Sequence, residues 1–216
     1  DPDNAVAKGY INFKNNDLLL QKPKMSFTQL NGQLSFENEV IRTKALTALW
    51  QELPLSIEVN ANDNEDYYGT NILINANWQQ KQWLTKVPEL LKEYGKGSLA
   101  WQGKLALNNH HDGGFSYSFD VNSDLKKMKL QLPEPYEKLS EDVLPLSVNV
   151  TGQLNQSTIN ATLGEKLSFY GVLNHQDVQF SRAHLVLGNE KMLLPMDGFH
   201  ITSKLDHAKI SQWQPF

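Results

Sequence analysis

A strictly alternating stretch from Leu144 to Leu154 constrains the fold more than any other feature of this sequence. Every even-numbered residue in it is apolar or glycine, whereas the odd-numbered residues are proline, serine, asparagine, threonine and glutamine. Successive side chains of a strand point to opposite faces of a sheet, so this period of two predicts a strand with one apolar face. The same Leu-Pro-Leu-Ser device begins at Leu53, which indicates that the chain uses one structural unit twice.

Alternation also runs through most of the remaining chain. It predicts a β-meander over residues 9–36, a long antiparallel hairpin over 99–121 that turns at Asp112–Gly114, and a run of antiparallel strands over 159–187. The expected fold is mainly β, with a minor α component. We predict a curved antiparallel sheet that forms a β-groove or a sandwich-like module with one or two short helices.

Two segments interrupt this pattern. Residues at three- and four-residue steps predict a helical segment at about 78–94, with Asn77 and Gln80 at capping-box spacing. Pro88 is expected to kink this segment or to divide it into two short pieces. Residues 123–142 predict an irregular, mobile connection or a short helix at 136–139, and are a candidate lid or module boundary. We expect two β-groove units, 1–97 and 98–216, with one continuous domain as the alternative.

Composition excludes several classes of function. The net charge is −4, and no block of Lys or Arg is present to neutralise a phosphate backbone, so nucleic acid is not an expected partner. The absence of cysteine excludes disulfides and thiolate zinc sites. The sequence contains no Gly-rich phosphate loop, nucleophile elbow or zincin helix. We therefore predict a protein that is not an enzyme, with no catalytic residues, no metal and no cofactor.

Two groups of residues leave alternatives open. His110, His111 and Asp112 have side chains suited to metal binding, but as neighbours they converge only within a turn, and a solvated hairpin tip is the other interpretation. The tryptophans could form a sugar-stacking platform or pack in a core. They are Trp50, Trp78, Trp83, Trp101 and Trp213.

The apolar faces pose the main functional question. Burying each large apolar side chain is worth about 1.5–3 kcal/mol, so these faces cannot simply meet water. Either a second layer covers them, or the sheet curls so that they line a groove for an apolar ligand. Periodicity does not separate these cases, and the layer architectures of globular domains favour the closed core.

The stretch Phe27–Asn38 followed by Leu53–Val59 resembles the repeating unit of the AsmA-like family, in particular its large YhdP-type members from Gram-negative bacteria. The resemblance implies an inner-membrane-anchored protein whose periplasmic body of stacked β-grooves carries phospholipids between the inner and outer membranes. This chain would be an internal periplasmic fragment, with membrane contact only through parts of the full-length protein outside it. Pro88 and residues 123–142 depart from a simple repeat.

The resemblance carries over no catalytic residue. It implies that alternating apolar side chains line a groove for phospholipid acyl chains. The candidates are Leu53, Leu55, Ile57, Val59, Leu99, Trp101, Leu105, Phe115, Tyr117, Phe119, Leu144, Leu146, Val148, Val150 and Leu154. The alternatives are a carbohydrate-binding β-sandwich and a structural or protein-interaction module of the cell envelope.

Overall fold

The computed structural model describes residues 6–21, 24–87, 89, 92–190 and 196–204. They form one large curved sheet of thirteen strands, a separate two-stranded sheet and a short helix, so the predicted mainly β fold is confirmed. The strands of the large sheet are β1 (Lys8–Gln21), β2 (Lys24–Glu37), β3 (Val40–Thr43), β4 (Leu46–Trp50), β5 (Leu53–Asp63), β6 (Tyr67–Trp78), β8 (Leu99–His110), β9 (Phe115–Ser123), β11 (Leu146–Gln153), β12 (Gln156–Leu163), β13 (Leu167–Asn174), β14 (Gln179–Gly188) and β15 (Gly198–Lys204). The small sheet pairs β7 (Gly95–Gly97) with β10 (Met128–Leu130).

Strand order in the large sheet follows chain order almost throughout. Strands β3 and β4 are two pieces that share one position, because both pair with β2 and with β5. The predicted antiparallel sheet is confirmed as mostly antiparallel, and the exception is the last pair, in which β14 and β15 run parallel. A parallel neighbour requires the chain to cross back along the sheet before it re-enters.

The sheet is continuous across the predicted boundary at residues 97 and 98. Strand β6 lies before this boundary and β8 after it, yet they pair antiparallel along their whole lengths, from Tyr67 opposite His110 to Trp78 opposite Leu99. The division into two β-groove units therefore stays a prediction about sequence repeats.

The predicted helix is much shorter in the structure. Helix α1 covers Gln80–Trp83 and continues as a single 3₁₀ turn at Leu84–Lys86. The capping box forms between Gln79 and Gln82, not at the predicted Asn77 and Gln80, because β6 keeps the chain extended as far as Trp78. Pro88 lies outside the described residues.

The connection from β9 to β11 is irregular, as predicted, but it contains strand β10 and no helix at 136–139 among the described residues. It packs onto the protein: Tyr136 and Lys138 are buried, and the Lys138 ammonium donates to the carbonyls of Met128 (2.6 Å), Leu139 (2.8 Å) and Lys126 (3.4 Å). Buried ammonium groups must be compensated by such bonds. These bonds hold the connection together, while Leu125 and Met128 pack it against the sheet.

The two long connections, 79–98 and 124–145, lie at the same end of the strands that they join, and they meet through the β7–β10 pair. We call them together the cap. Trp83, Leu125 and Met128 of the cap are buried in one cluster with residues of the sheet. The sheet residues of this cluster are Phe27, Leu30, Leu46, Ala48, Leu53, Leu55, Ile57, Ile74, Ala76 and Trp78.

Candidate functional site

The apolar face of the sheet is organised in rows that cross the strands, because residues directly opposite each other in a pair point to the same face. A first inner row contains only apolar residues and glycine: Val59, Ile72, Leu105, Phe119, Val150, Ile159, Gly171, Ala183 and Phe199. A second inner row, nearer the cap, is equally apolar: Leu46, Ile57, Ile74, Gly103, Val121, Val148, Ala161, Phe169, Leu185 and Ile201.

These two rows form a continuous apolar path. Neighbouring strands lie about 4.8 Å apart, so the first inner row, which runs from β5 to β15, extends roughly 38 Å along the sheet. The opposite face carries polar residues such as Asn60, Asn71, Asn75 and Gln102. Over β5, β6 and β8 the sheet therefore separates a largely polar surface from the apolar one, whereas on β13 and β14 the opposite face also carries the buried Val172 and Val186.

On the other side of the first inner row lies a rim row, close to the hairpin turns. Its members are Ala61, Thr70, Leu107, Tyr117, Gly152, Ser157, Leu173 and Phe180. Polar side chains enter the face here, at Thr70, Tyr117 and Ser157. The face is thus bounded by polar groups at the rim and by the cap at the other end of the strands.

Most of the candidate residues share this face. Those on β5, β8, β9 and β11 all do, from Leu53 through Val150. Leu144 and Leu154 lie outside strand β11: Leu144 is a buried residue of the cap, and Leu154 is an exposed turn residue. The predicted strand was therefore too long by two residues at its start and one at its end.

An apolar cavity of about 300 Å³ opens between the cluster beneath the cap and the inner rows. Its walls are Phe27, Trp50, Leu55, Ile74, Trp78, Leu99, Trp101, Phe119, Val121, Ser123 and Leu146. The Ser123 hydroxyl is bonded to the carbonyl of Ala100 at 2.6 Å, so it is satisfied by the backbone. Cavities with apolar walls of this kind suit hydrocarbon groups.

The described tryptophans pack in or against the core. Trp78 and Trp83 are buried and donate to the carbonyls of Pro54 and Gly97, at 2.8 and 3.0 Å. Trp50 and Trp101 are half-buried, with ring centroids 6.5 and 5.3 Å from that of Trp78. This matches the core-packing alternative for these four residues, while Trp213 lies outside the described part of the chain.

The histidines of the β8–β9 hairpin make separate local contacts. His110 Nε2 lies 2.8 Å from Ser116 Oγ, and His111 Nε2 donates to the carbonyl of Asn64 at 2.9 Å and to Asp63 Oδ1 at 3.0 Å. The Asn64 carbonyl, with a smaller contribution from Asp63, raises the pKa of His111. In the described ranges, no three His, Asp or Glu side chains come together as a possible metal site.

A polar network in the rim row was not anticipated from the sequence. Tyr117 and Ser157 hydroxyls are hydrogen-bonded, Ser157 Oγ lies 2.5 Å from His175 Nε2, and His175 Nδ1 lies 2.9 Å from the carbonyl of Leu154. Ser157 lies at the start of β12, and His175 directly follows the last residue of β13. Only the register of β12 against β13 brings the two side chains together. Alternation placed Tyr117 on the apolar face but gave no signal for its partners.

Comparison with known proteins identifies the family. A family model described as "YhdP protein" matches residues 1–216, which is the whole chain. The chain belongs to the YhdP family. The resemblance noted at Phe27–Asn38 and Leu53–Val59 is therefore confirmed.

One curated relative in the YhdP family is the "Intermembrane phospholipid transporter YhdP" of Escherichia coli (strain K12). It is 30% identical to this chain over 160 residues, which are 74% of the chain and 13% of the relative. The chain thus spans a small part of that relative's length. No solved structure was found to match the chain. Within the described residues, no helix has the length and apolar character to cross a bilayer.

Proposed function

We propose that this chain is a non-enzymatic, lipid-carrying module of a YhdP-type envelope protein. In this proposal, phospholipid acyl chains lie on the inner rows, and the module stands in the periplasm as part of an inner-membrane-anchored protein that passes phospholipid between the inner and outer membranes. The observation that carries the proposal is the roughly 38 Å path without a polar side chain. The name of the E. coli relative supports phospholipid as the ligand.

Burial supports an open face over β11 to β13. Val148, Val150, Ile159 and Phe169 are half-buried although they belong to the inner rows. Full burial of an exposed side chain of this kind is worth about 1.5–3 kcal/mol, and these half-buried residues have part of that gain left to make with acyl chains. The candidate groove-lining residues on these strands are proposed to act in this way.

Photocrosslinking from neighbouring positions tests the proposal. Val148 lies in the second inner row, while Ser147 is exposed on the opposite face. A photoreactive amino acid at Val148 is expected to capture phospholipid in gently purified protein, and the same group at Ser147 is the matched control. Lipid extraction and native mass spectrometry measure the load. Folded protein that carries no lipid would contradict the proposal.

A charge at Val148 separates a groove from a sealed core. Val148→Asp is expected to reduce bound lipid strongly while costing about 1–3 kcal/mol of stability, because a half-buried carboxylate keeps part of its hydration. Ser147→Asp should leave both quantities unchanged. Complete unfolding of Val148→Asp would indicate a closed core, and Val148→Trp then tests blockage without a charge.

A further inference from the structure

The two ends of the strands offer different surroundings to a polar group. At the cap end, Trp83, Leu125 and Met128 close over the sheet, so a headgroup there would lose its water without compensation. At the rim, the strands end in exposed turns at 62–66, 111–114 and 176–178. For a lipid whose tails occupy the inner rows, the rim therefore offers a headgroup water and polar side chains together, which the cap end does not.

The Tyr117–Ser157–His175 network is positioned at this rim. The Tyr117 ring lies directly over Gly152 of the neighbouring strand, since a Cβ on Gly152 would lie 2.7 Å from ring atoms and the hydroxyl of Tyr117. Glycine at this position lets the ring lie flat over the strand, with its hydroxyl next to Ser157. From Tyr117 to Val121, at the cavity, the strand rises about 13 Å.

The direction of each hydrogen bond in the network follows from the Leu154 carbonyl at one end of it. The Leu154 carbonyl can only accept, so a neutral His175 carries its proton on Nδ1 and accepts at Nε2. Ser157 must then donate to His175, and Tyr117 must donate to Ser157. All three donors are used internally. The capacity left for a ligand is acceptor capacity at the two lone pairs of the Tyr117 oxygen, because Ser157 is buried.

We propose that this rim network recognises phospholipids whose headgroups donate hydrogen bonds, with the tails lying on the inner rows toward the cavity. The inference rests on the proposed function and adds an orientation and a headgroup preference to it. The shared chemistry is an N–H or O–H donor, supplied by a primary ammonium or by glycerol hydroxyls. A quaternary trimethylammonium headgroup has no such donor.

Competition between lipids tests the preference. The chain is loaded from vesicles that contain equal amounts of phosphatidylethanolamine, phosphatidylglycerol and phosphatidylcholine with identical acyl chains, and bound lipid is quantified by mass spectrometry. One hydrogen bond is worth about a two- to tenfold ratio, so at least one of the two donor lipids should exceed phosphatidylcholine by that factor. Their relative amounts distinguish ammonium from hydroxyl recognition.

Tyr117→Phe removes the acceptor and keeps the ring over Gly152. It should bring the three lipids to equal amounts without lowering the total load, because Ser157 can still donate to His175. Tyr10→Phe, at an exposed tyrosine of β1, is the matched control and should keep the wild-type ratio. Equal loading by the wild-type chain, or a ratio that survives Tyr117→Phe, would overturn the inference and leave lipid binding intact. A chain without any lipid would instead refute the proposed function.

The position of the bound acyl tails is measured with the same lipid-loaded protein. A donor phospholipid with a photoreactive diazirine at the tail end should label the cavity walls near Trp101, Val121 and Leu146. Labelling concentrated at Tyr117 and Leu173 of the rim row would reverse the proposed orientation.

Discussion

The capped end of the sheet and the open part of its apolar face are built from the same alternating strands but differ in burial. Under the cap, Leu55 and Trp78 are 5% and 7% exposed, whereas Val148 and Phe169 on later strands are only half-buried. The two long connections make the difference, since they bring a second layer to one end only. Alternation therefore determines which face is apolar, and inserted segments determine how much of it is sealed.

Removing an aromatic ring from the cap should have the largest effect. Trp83 is buried, packs beside Gly95 and donates to the carbonyl of Gly97. Trp83→Ala is expected to lower the free energy of unfolding by about 3–5 kcal/mol in urea titrations. Phe199→Ala, at an exposed ring of the same face on β15, should change it by less than about 0.5 kcal/mol. Equal losses would abolish the distinction between the two regions.

The buried ammonium of Lys138 is the next largest contribution. Lys138→Met retains most of the volume but removes the ammonium from the Met128 and Leu139 carbonyls, while the Lys126 carbonyl keeps the Glu141 N–H, and about 3 kcal/mol of unfolding free energy should be lost. Lys126→Met, at an exposed lysine of the same connection, is the control and should cost less than about 0.5 kcal/mol. Similar unfolding midpoints for both variants would show that the ammonium does not stabilise the cap.

A methyl group at Gly103 tests the region where the capped and open parts meet. A Cβ there would lie 2.9 Å from the rings of both Trp101 and Phe119. Because flexible rings can move, Gly103→Ala should cost only about 1–3 kcal/mol. The displaced rings should also change tryptophan fluorescence and reduce lipid loading. Unchanged fluorescence and stability would mean that the rings near the cavity are loosely packed.

The smallest expected effect is at the rim hairpin and depends on pH. The pKa of His111 is raised in the folded protein, first by the Asn64 carbonyl and then by Asp63. Its contribution to stability is therefore fully present below the unfolded pKa of about 6.5 and disappears as the pH rises through the folded value. His111→Gln should thus destabilise the chain more at about pH 5.5 than at about pH 8.5. Asp63→Asn should show part of this pH dependence, and a flat difference in urea midpoints would contradict it.

Much of the sheet was predictable because its determinant is local. Alternation in Leu146–Gln153 and in Leu99–Leu107 identified strands and their apolar sides from adjacent residues alone. The cap was not predictable in the same way: Tyr136 donates to the carbonyl of Lys166, in a distant turn, and Lys138 is satisfied by carbonyls that only the irregular path of the connection brings together. The predicted helix was too long because apolar residues at three- and four-residue steps also fit a chain that packs Trp83 onto β7 and then turns. The contact between Ser157 and His175 could not be predicted either, because it depends on the register of β12 against β13.

The near agreement between strand order and chain order has a consequence for how the protein folds. Each strand up to β14 can add to the preceding one through a short hairpin or through the cap connections, so loop-closure entropy stays small at most steps. The β7–β10 pair is different, since it joins segments on either side of the β8–β9 hairpin. The sheet can therefore grow from its amino-terminal side in step with the chain, whereas its sealed end is completed only after β9 is in place.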